Sequence, residues 1–318
     1  MPGLTGKVMI VTGGNSGLGY ESVKAFFLKG AEVILASRSA ERGEQARREI
    51  IKEVADNVSN EVPGDLSNGV QEDPAWGKIL VMQLDLGDLE SVRQFAGEFK
   101  SRFDRLDVLM NNAGIMMTPY FKTKEGFEGQ LGTNHLGHFA LTGLLMEVLL
   151  ETPGSRIVTV SSGAHRNGDM DFENLQFENG RGYPRSRAYG RSKLANLLFT
   201  YELQRKLESE GKPTMAVAAH PGIASTNLAR HLVPNWMVRL LFPLFGFMMQ
   251  EKAMGALPQI RASVDPKVQG GEYYGPGGKR EWKGFPVRVG SSEASHNLQD
   301  AARLWEVSEK LTGVNFDL

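Results

Sequence analysis

Tyr189 and Lys193 lie four residues apart in the run Tyr189-Gly190-Arg191-Ser192-Lys193, and on a helix that spacing puts a phenol and an ammonium on one face. A cation beside a phenol stabilises the phenolate and draws the tyrosine pKa down from its ordinary ~10, so the group can trade a proton with a hydroxyl or carbonyl. Upstream, Arg156-Ile157-Val158-Thr159-Val160-Ser161-Ser162 reads as a buried strand ending in two hydroxyls, at the edge where open α/β sheets bind ligands. Near the N-terminus, Thr12-Gly13-Gly14-Asn15-Ser16-Gly17-Leu18-Gly19 joins a strand to a helix. Gly13 permits a tight turn, Gly17 lets a phosphate approach the backbone, and Gly19 lets helix and strand pack closely. The unpaired amides and positive end of the helix would face that phosphate.

The second strand ends Ile34-Leu35-Ala36-Ser37-Arg38-Ser39, with no acid until Glu41. A carboxylate here would accept hydrogen bonds from the adenosine ribose of NAD, whereas arginine suits the 2′-phosphate of NADP. The pattern favours NADP, with NAD second, and makes Arg38 the main phosphate partner with Ser37 or Arg42 as helpers. The competing reading leaves Arg38 as a solvated strand end.

The elements that must position these groups follow from periodicity. Short apolar runs near residues 8–12, 32–36, 79–84, 108–111, 156–161, 216–219 and 272–274 alternate with amphipathic stretches near 19–29, 40–54, 89–103, 129–149 and 189–207. This predicts an α/β chain: one Rossmann domain over residues 1–318, with a seven-stranded parallel sheet and helices on both faces. A last helix is expected after Ser295, with Leu304 and Trp305 on its apolar face and Gly313 as its stop. Two segments break the alternation. Residues 56–77 read as a polar loop insert. Residues 223–250 read as a substrate loop whose apolar part, 236–249, is too short and broken to span a membrane; it would be a lid, an oligomer contact or an interfacial membrane contact, in that order.

Composition removes several classes. The 318 residues hold 36 Lys plus Arg against 37 Asp plus Glu, and no cysteine. That excludes a disulfide scaffold, a thiol nucleophile and thiolate metal sites, and it removes the electrostatic pull of a nucleic-acid binder. With no secretory signal at its start, the chain is expected to be cytoplasmic. Glycine, 37 residues, is about 12% of the chain against a usual ~7%, and several of these glycines fall at strand ends. His135 and His138 lie one helical turn apart, but no third ligand has metal-site spacing, so no metal is expected and the pair reads as packing. His220 reads as a strand-end residue, and Asp169, Asp171 and Glu173 as solvated surface.

In order and spacing, the 12–19 turn, Asn111-Asn112-Ala113-Gly114, Asn134 in a helix, Ser161-Ser162, Tyr189 with Lys193, and Pro221-Gly222 resemble the short-chain dehydrogenase/reductase family over nearly the whole chain. Ser37-Arg38, the long stretch 162–189 and Ser192-Lys193-Leu194-Ala195-Asn196 are most similar to the branch containing retinol dehydrogenases and protochlorophyllide reductases. The resemblance implies that Tyr189 is the general acid or base, that Lys193 lowers its pKa and holds the nicotinamide ribose, and that Ser162, with Ser161 as rival, donates to the substrate oxygen. It implies that Asn134 organises a water linking Lys193 to solvent. The cofactor would be held by Gly13, Asn15, Ser16, Gly17, Leu18, Gly19, Ser37 and Arg38, by Asp85 and Leu86 at the adenine edge, and by Asn112, Ala113 and Gly114 along the adenosine ribose. Pro221, Gly222 and Ile223 would flank the nicotinamide, with Thr226 near its phosphate or carboxamide.

The activity so implied is NADP-dependent interconversion of a carbonyl and an alcohol, on a lipophilic aldehyde or ketone of retinoid, steroid or xenobiotic type. Met116, Met117, His165, Met170, Tyr183 and the 236–249 segment would frame that substrate, the other reading being that they pack beneath the loops. The alternative is an NADP-binding regulatory or scaffold protein that kept the fold. The expected partners are a small molecule and, at most, a second copy of the chain: monomer or homodimer, with no nucleic acid.

Overall fold

A computed structural model describes residues 1–61, 76–223 and 250–318. Its runs of β-branched and aliphatic residues form strands, the central ones buried on both faces, as a sheet covered by helices on each side requires. These are β1 (Val8–Thr12), β2 (Glu32–Ser37), β3 (Lys78–Gln83), β4 (Val108–Asn111), β5 (Arg156–Val160), β6 (Met215–Ala219), β7 (Tyr273–Pro276) and β8 (Pro286–Arg288). They lie in the order β3-β2-β1-β4-β5-β6-β7-β8. Pairing is parallel through β7, while β8 adds antiparallel with Tyr274 opposite Arg288. The expected seven parallel strands are therefore present with an eighth, antiparallel edge strand; three residues beginning with a proline carry too little pattern to be read as one.

Alternate residues divide between two cores. Ile10, Ile34 and Leu109 pack with Phe95 and Phe99 on one face, and Met9, Val33, Leu35 and Met110 pack with Phe26 on the other. Chain order reverses between β1 and β4, so a crevice opens at their carboxyl ends.

The helices that frame this crevice are α1 (Gly17–Phe27), α2 (Ala40–Glu61) and α3 (Leu89–Arg102). Four more follow before β6: α4 (Gly129–Leu131), α5 (Gly137–Leu144), α6 (Met146–Glu151) and α7 (Arg185–Ser209). The continuous helix expected over 129–149 is interrupted. A π-turn, Gly132–Leu136, separates α4 from α5, and Leu145, with φ −101° and ψ 2°, separates α5 from α6. Helix α2 also continues past residue 54 to Glu61, so the first residues assigned to the 56–77 insert are helical. The stretch 62–75 lies outside the described residues, as do Thr226 and the 236–249 segment.

Helix α8 (Lys252–Val264) packs on α1, and α9 (Leu298–Thr312) begins where expected, with the Asn297 side chain accepting from the Gln299 and Asp300 amides. Trp305 of α9 lies 5.2 Å from the Phe139 ring and 5.9 Å from Phe199, so the C-terminal helix covers α5 and α7. Among the described residues no helix is long and apolar enough to cross a membrane.

Candidate active site

At the carboxyl ends of β1, β2, β4 and β5 lies a cavity of about 290 Å³. Its outer end is built by the glycine turn. Gly13 and Gly17 have φ +66° and +59°, values that L side chains rarely adopt. A Cβ on Gly19 would stand 2.4 Å from the Gly13 carbonyl, so only glycine lets α1 start this close to β1. Ser16 precedes α1 in an extended conformation and gives no side-chain cap, and the first turn holds no acid. Helix α3 is the contrast, since Asp88 accepts from its Glu90 and Ser91 amides. The leading amides of α1 thus face the cavity with their positive dipole end free of a protein carboxylate, a donor set that fits a pyrophosphate.

Asn15, Ser16, Gly17, Leu18, Ser37, Arg38, Asp85 and Leu86 all line the cavity, as expected. So do Ser39 and Arg42, the latter weighed earlier only as a helper. The Ser37 hydroxyl donates to the Ser39 carbonyl (3.0 Å) and Gln83 donates to the Arg38 carbonyl (3.2 Å), which fixes the backbone while both arginine side chains stay exposed. Among the described residues that line the cavity Asp85 is the one carboxylate; its Oδ1 accepts from the Gly87 amide.

Asn112, Ala113 and Gly114 form the floor. The Asn112 side chain is held at both ends, donating to the Thr12 carbonyl (2.7 Å) and accepting from Gln259 of α8 (3.0 Å). A Cβ on Gly114 would come within 3.2 Å of Asn134 Oδ1 and 3.5 Å of Lys193 Nζ, which places this glycine against the proton-handling groups.

At the inner end Tyr189 and Lys193 share one face of α7 and both are buried. Lys193 Nζ donates to the Val160 carbonyl (2.8 Å), which Asn196 also reaches, and stands 5.9 Å from the centre of the Tyr189 ring. The expectation that the lysine draws the phenol down is not met. Burial raises the Tyr189 pKa above its ordinary value, with hydrogen bonding to Ser162 opposing it, and burial pulls Lys193 down to about 8. The physical reason is that desolvation penalises both charged forms, and the ammonium is directed at a carbonyl rather than at the phenol oxygen.

The two serines separate clearly. Ser161 commits its hydroxyl to the Lys193 carbonyl (2.8 Å). Ser162 accepts from the Ala164 amide, which leaves its own O–H to donate toward the Tyr189 phenol. Asn134 stands in the π-turn, where Oδ1 accepts from the Ile115 amide (2.8 Å) and Nδ2 donates to the Ile115 carbonyl and the Ser192 hydroxyl (both 2.9 Å). Insertions of this kind recur at functional sites; here it turns the asparagine toward the loop after β4.

Pro221 lines the cavity, with Gly222 and Ile223 following it. This turn is pinned from three sides: His220 Nδ1 accepts from the Gly222 amide, Ile223 donates to the Trp282 carbonyl, and Gln250 donates to the Pro221 carbonyl. Several residues have other partners than their sequence context suggested. Asp169 is no free surface carboxylate, because Arg187 grips it bidentately and the buried Arg191 adds two contacts near 3.1 Å. His165 is buried between the Ser162 carbonyl and the Ser292 amide. Buried Glu128 was missed altogether; it accepts from the Gln130 and Leu131 amides and from the Tyr183 hydroxyl. Its only sequence signal is its position as the cap of α4. Among the described residues no cluster of three or more His, Asp or Glu could hold a metal.

A doubly wound sheet with a phosphate-type turn at one end of its crevice and tyrosine, lysine and serine at the other defines a dinucleotide-dependent oxidoreductase. A family model described as short chain dehydrogenase matches residues 7–73 and 60–235. The chain is 40% identical to human retinol dehydrogenase 14 over 98% of its length and 88% of that protein. It is 39% identical to human retinol dehydrogenase 11 over 99% and 88% of the two chains. A solved structure of an uncharacterised Mycobacterium paratuberculosis protein superposes with a TM-score of 0.77 at 38% identity, covering 100% of this chain and 97% of that one. The chain belongs to the short-chain dehydrogenase/reductase family, in its retinol dehydrogenase-like branch, and is an oxidoreductase using a nicotinamide cofactor.

Proposed function

We propose that the protein interconverts a carbonyl and an alcohol with NADP as cofactor, on a lipophilic aldehyde or ketone of retinoid, steroid or xenobiotic type. The observation that carries the cofactor choice is the end of β2, where Ser37, Arg38, Ser39 and Arg42 line the cavity and no carboxylate stands among them. A 2′-phosphate placed there meets two guanidinium groups, one or both able to bind it bidentately. The substrate class is supported by the retinol dehydrogenases to which the chain is similar.

In this reading the bound nicotinamide supplies or takes the hydride, and the chain positions the substrate and moves the proton. Tyr189 gives its phenol proton to the developing alkoxide, or takes it from the alcohol in the reverse direction. Ser162, whose hydroxyl reaches the Tyr189 phenol, would turn its proton to the same oxygen and orient it. Lys193, its ammonium anchored on the Val160 carbonyl, would hold the nicotinamide ribose. Asn134 holds the loop at Ile115 and sustains the path from Lys193 to solvent.

Steady-state turnover of aldehydes, ketones, steroids and retinoids with NADPH and NADH tests both parts. Loss of a charge-assisted contact from Arg38→Ala should lower the NADPH-over-NADH preference about tenfold or more, at about 1.5–3 kcal/mol for such a bond. An unchanged preference would remove Arg38 from the assignment.

A further inference from the structure

His138 is buried, lies outside the cavity lining and has no place in the proton transfer described above, yet both its ring nitrogens are engaged. Nδ1 is 3.0 Å from the Asn134 carbonyl oxygen and Nε2 is 2.9 Å from Thr12 Oγ1. A carbonyl can only accept, so Nδ1 carries the proton. In the neutral ring Nε2 then accepts, and the Thr12 hydroxyl donates to it at 2.9 Å in preference to the Met110 carbonyl, which lies farther off at 3.3 Å. The same hydroxyl oxygen accepts the Asn112 and Ala113 amides, each at 2.9 Å. Thr12 thereby uses its proton and both lone pairs. A second proton on the imidazole would point at an oxygen already filled by two amides, and burial together with the nearby Lys193 charge holds His138 near a pKa of about 4. One protonation state and one tautomer fit.

This bond closes a continuous chain. On one side it reaches Asn112 and Ala113 in the cavity floor through Thr12. On the other, Asn134 Nδ2 donates to Ser192, whose hydroxyl donates to the Tyr189 carbonyl (2.8 Å). We propose that His138 is a positioning residue that ties the strand end shaping the cofactor floor to the turn carrying Asn134, so that floor and proton-handling helix keep one spacing. The inference rests on the cofactor reading above. Its structural part, the link through Thr12, stands apart from any activity.

A double-mutant cycle separates linkage from mere packing. His138→Phe keeps the volume and breaks both bonds, Thr12→Val removes the hydroxyl, and the double variant breaks the same link twice. NADPH dissociation constants, by cofactor fluorescence, and kcat are the readouts. His138→Phe should weaken NADPH binding and lower kcat about tenfold, the scale of one well-made hydrogen bond; Thr12→Val, which also strips the Asn112 and Ala113 amides of their acceptor, should lose more, and the double variant should lose about as much as Thr12→Val alone. His138→Gln, which keeps a donor and an acceptor, should recover to within about threefold of wild type. Additive losses, or a His138→Phe enzyme with wild-type affinity and turnover, would overturn the proposal. Should the wild type fail to bind NADPH, the cofactor reading fails; the same cycle read in urea midpoints without cofactor then decides the linkage, with non-additivity supporting it and additivity overturning it.

Discussion

Lys193→Met should stabilise the protein while disabling it. The ammonium is buried on α7, and burial alone carries its pKa from 10.5 down to about 8; at ~1.36 kcal/mol per pKa unit, holding the charge there costs about 3 kcal/mol. Methionine fills similar volume without charge. The lost bond to the Val160 carbonyl takes back about 1 kcal/mol, because that oxygen keeps Asn196 as donor (3.1 Å). The net gain is about 2 kcal/mol, a rise of a few degrees in Tm for a chain this long. The sign with pH follows from linkage: below about 8 wild type carries the full penalty. Between about 8 and 10.5 the folded lysine has lost its proton while the unfolded one keeps it, so wild-type stability rises and the methionine advantage fades. Urea unfolding of both proteins at pH 7 and pH 10 measures this, alongside turnover. A methionine variant less stable than wild type at pH 7, or an advantage that does not shrink with pH, would refute the reasoning.

The other expectations concern the floor of the cavity and the buried imidazoles. Gly114→Ala should keep Tm within a few degrees yet lower kcat about tenfold, because its Cβ would press on Asn134 Oδ1 at 3.2 Å, and small displacements of positioned groups are costly to turnover; thermal melts beside steady-state kinetics check it. Burial holds His135 near a pKa of about 3 and His138 and His165 near about 4, so each is neutral when folded and protonated when unfolded as pH falls below about 6.5. Stability should therefore drop on acidification, by about 2 kcal/mol per histidine between pH 6.5 and pH 5. Urea midpoints across that range should fall steeply, and His138→Gln should flatten the slope by about one proton.

The sheet and its site were legible wherever short-range pattern and local chemistry agree. Strands such as β1 and β5 are unbroken aliphatic runs, and the 12–19 turn concentrates glycine where the backbone must approach a ligand. Where long-range contacts decide, the sequence was mute. The π-turn at Asn134 is set by its bonds to Ile115, 19 residues away, and to Ser192, 58 away. Strand β8 exists because β7 offers it an edge. His138 looked like packing because its partner Thr12 is 126 residues distant, and Asp169 looked solvated because Arg191 reaches it from α7 with a fully buried guanidinium. The tyrosine–lysine pair was placed correctly on one face, but the balance between desolvation and charge attraction depends on burial, which spacing does not encode.

Turnover of a carbonyl substrate by Tyr189→Phe with NADPH is the most direct measurement. Loss of the phenol proton should lower kcat by about a thousandfold, within the range of general acid–base catalysis, while the NADPH dissociation constant stays within a few-fold of wild type. A phenylalanine variant that keeps full turnover would contradict the assignment of Tyr189 as the group that moves the proton.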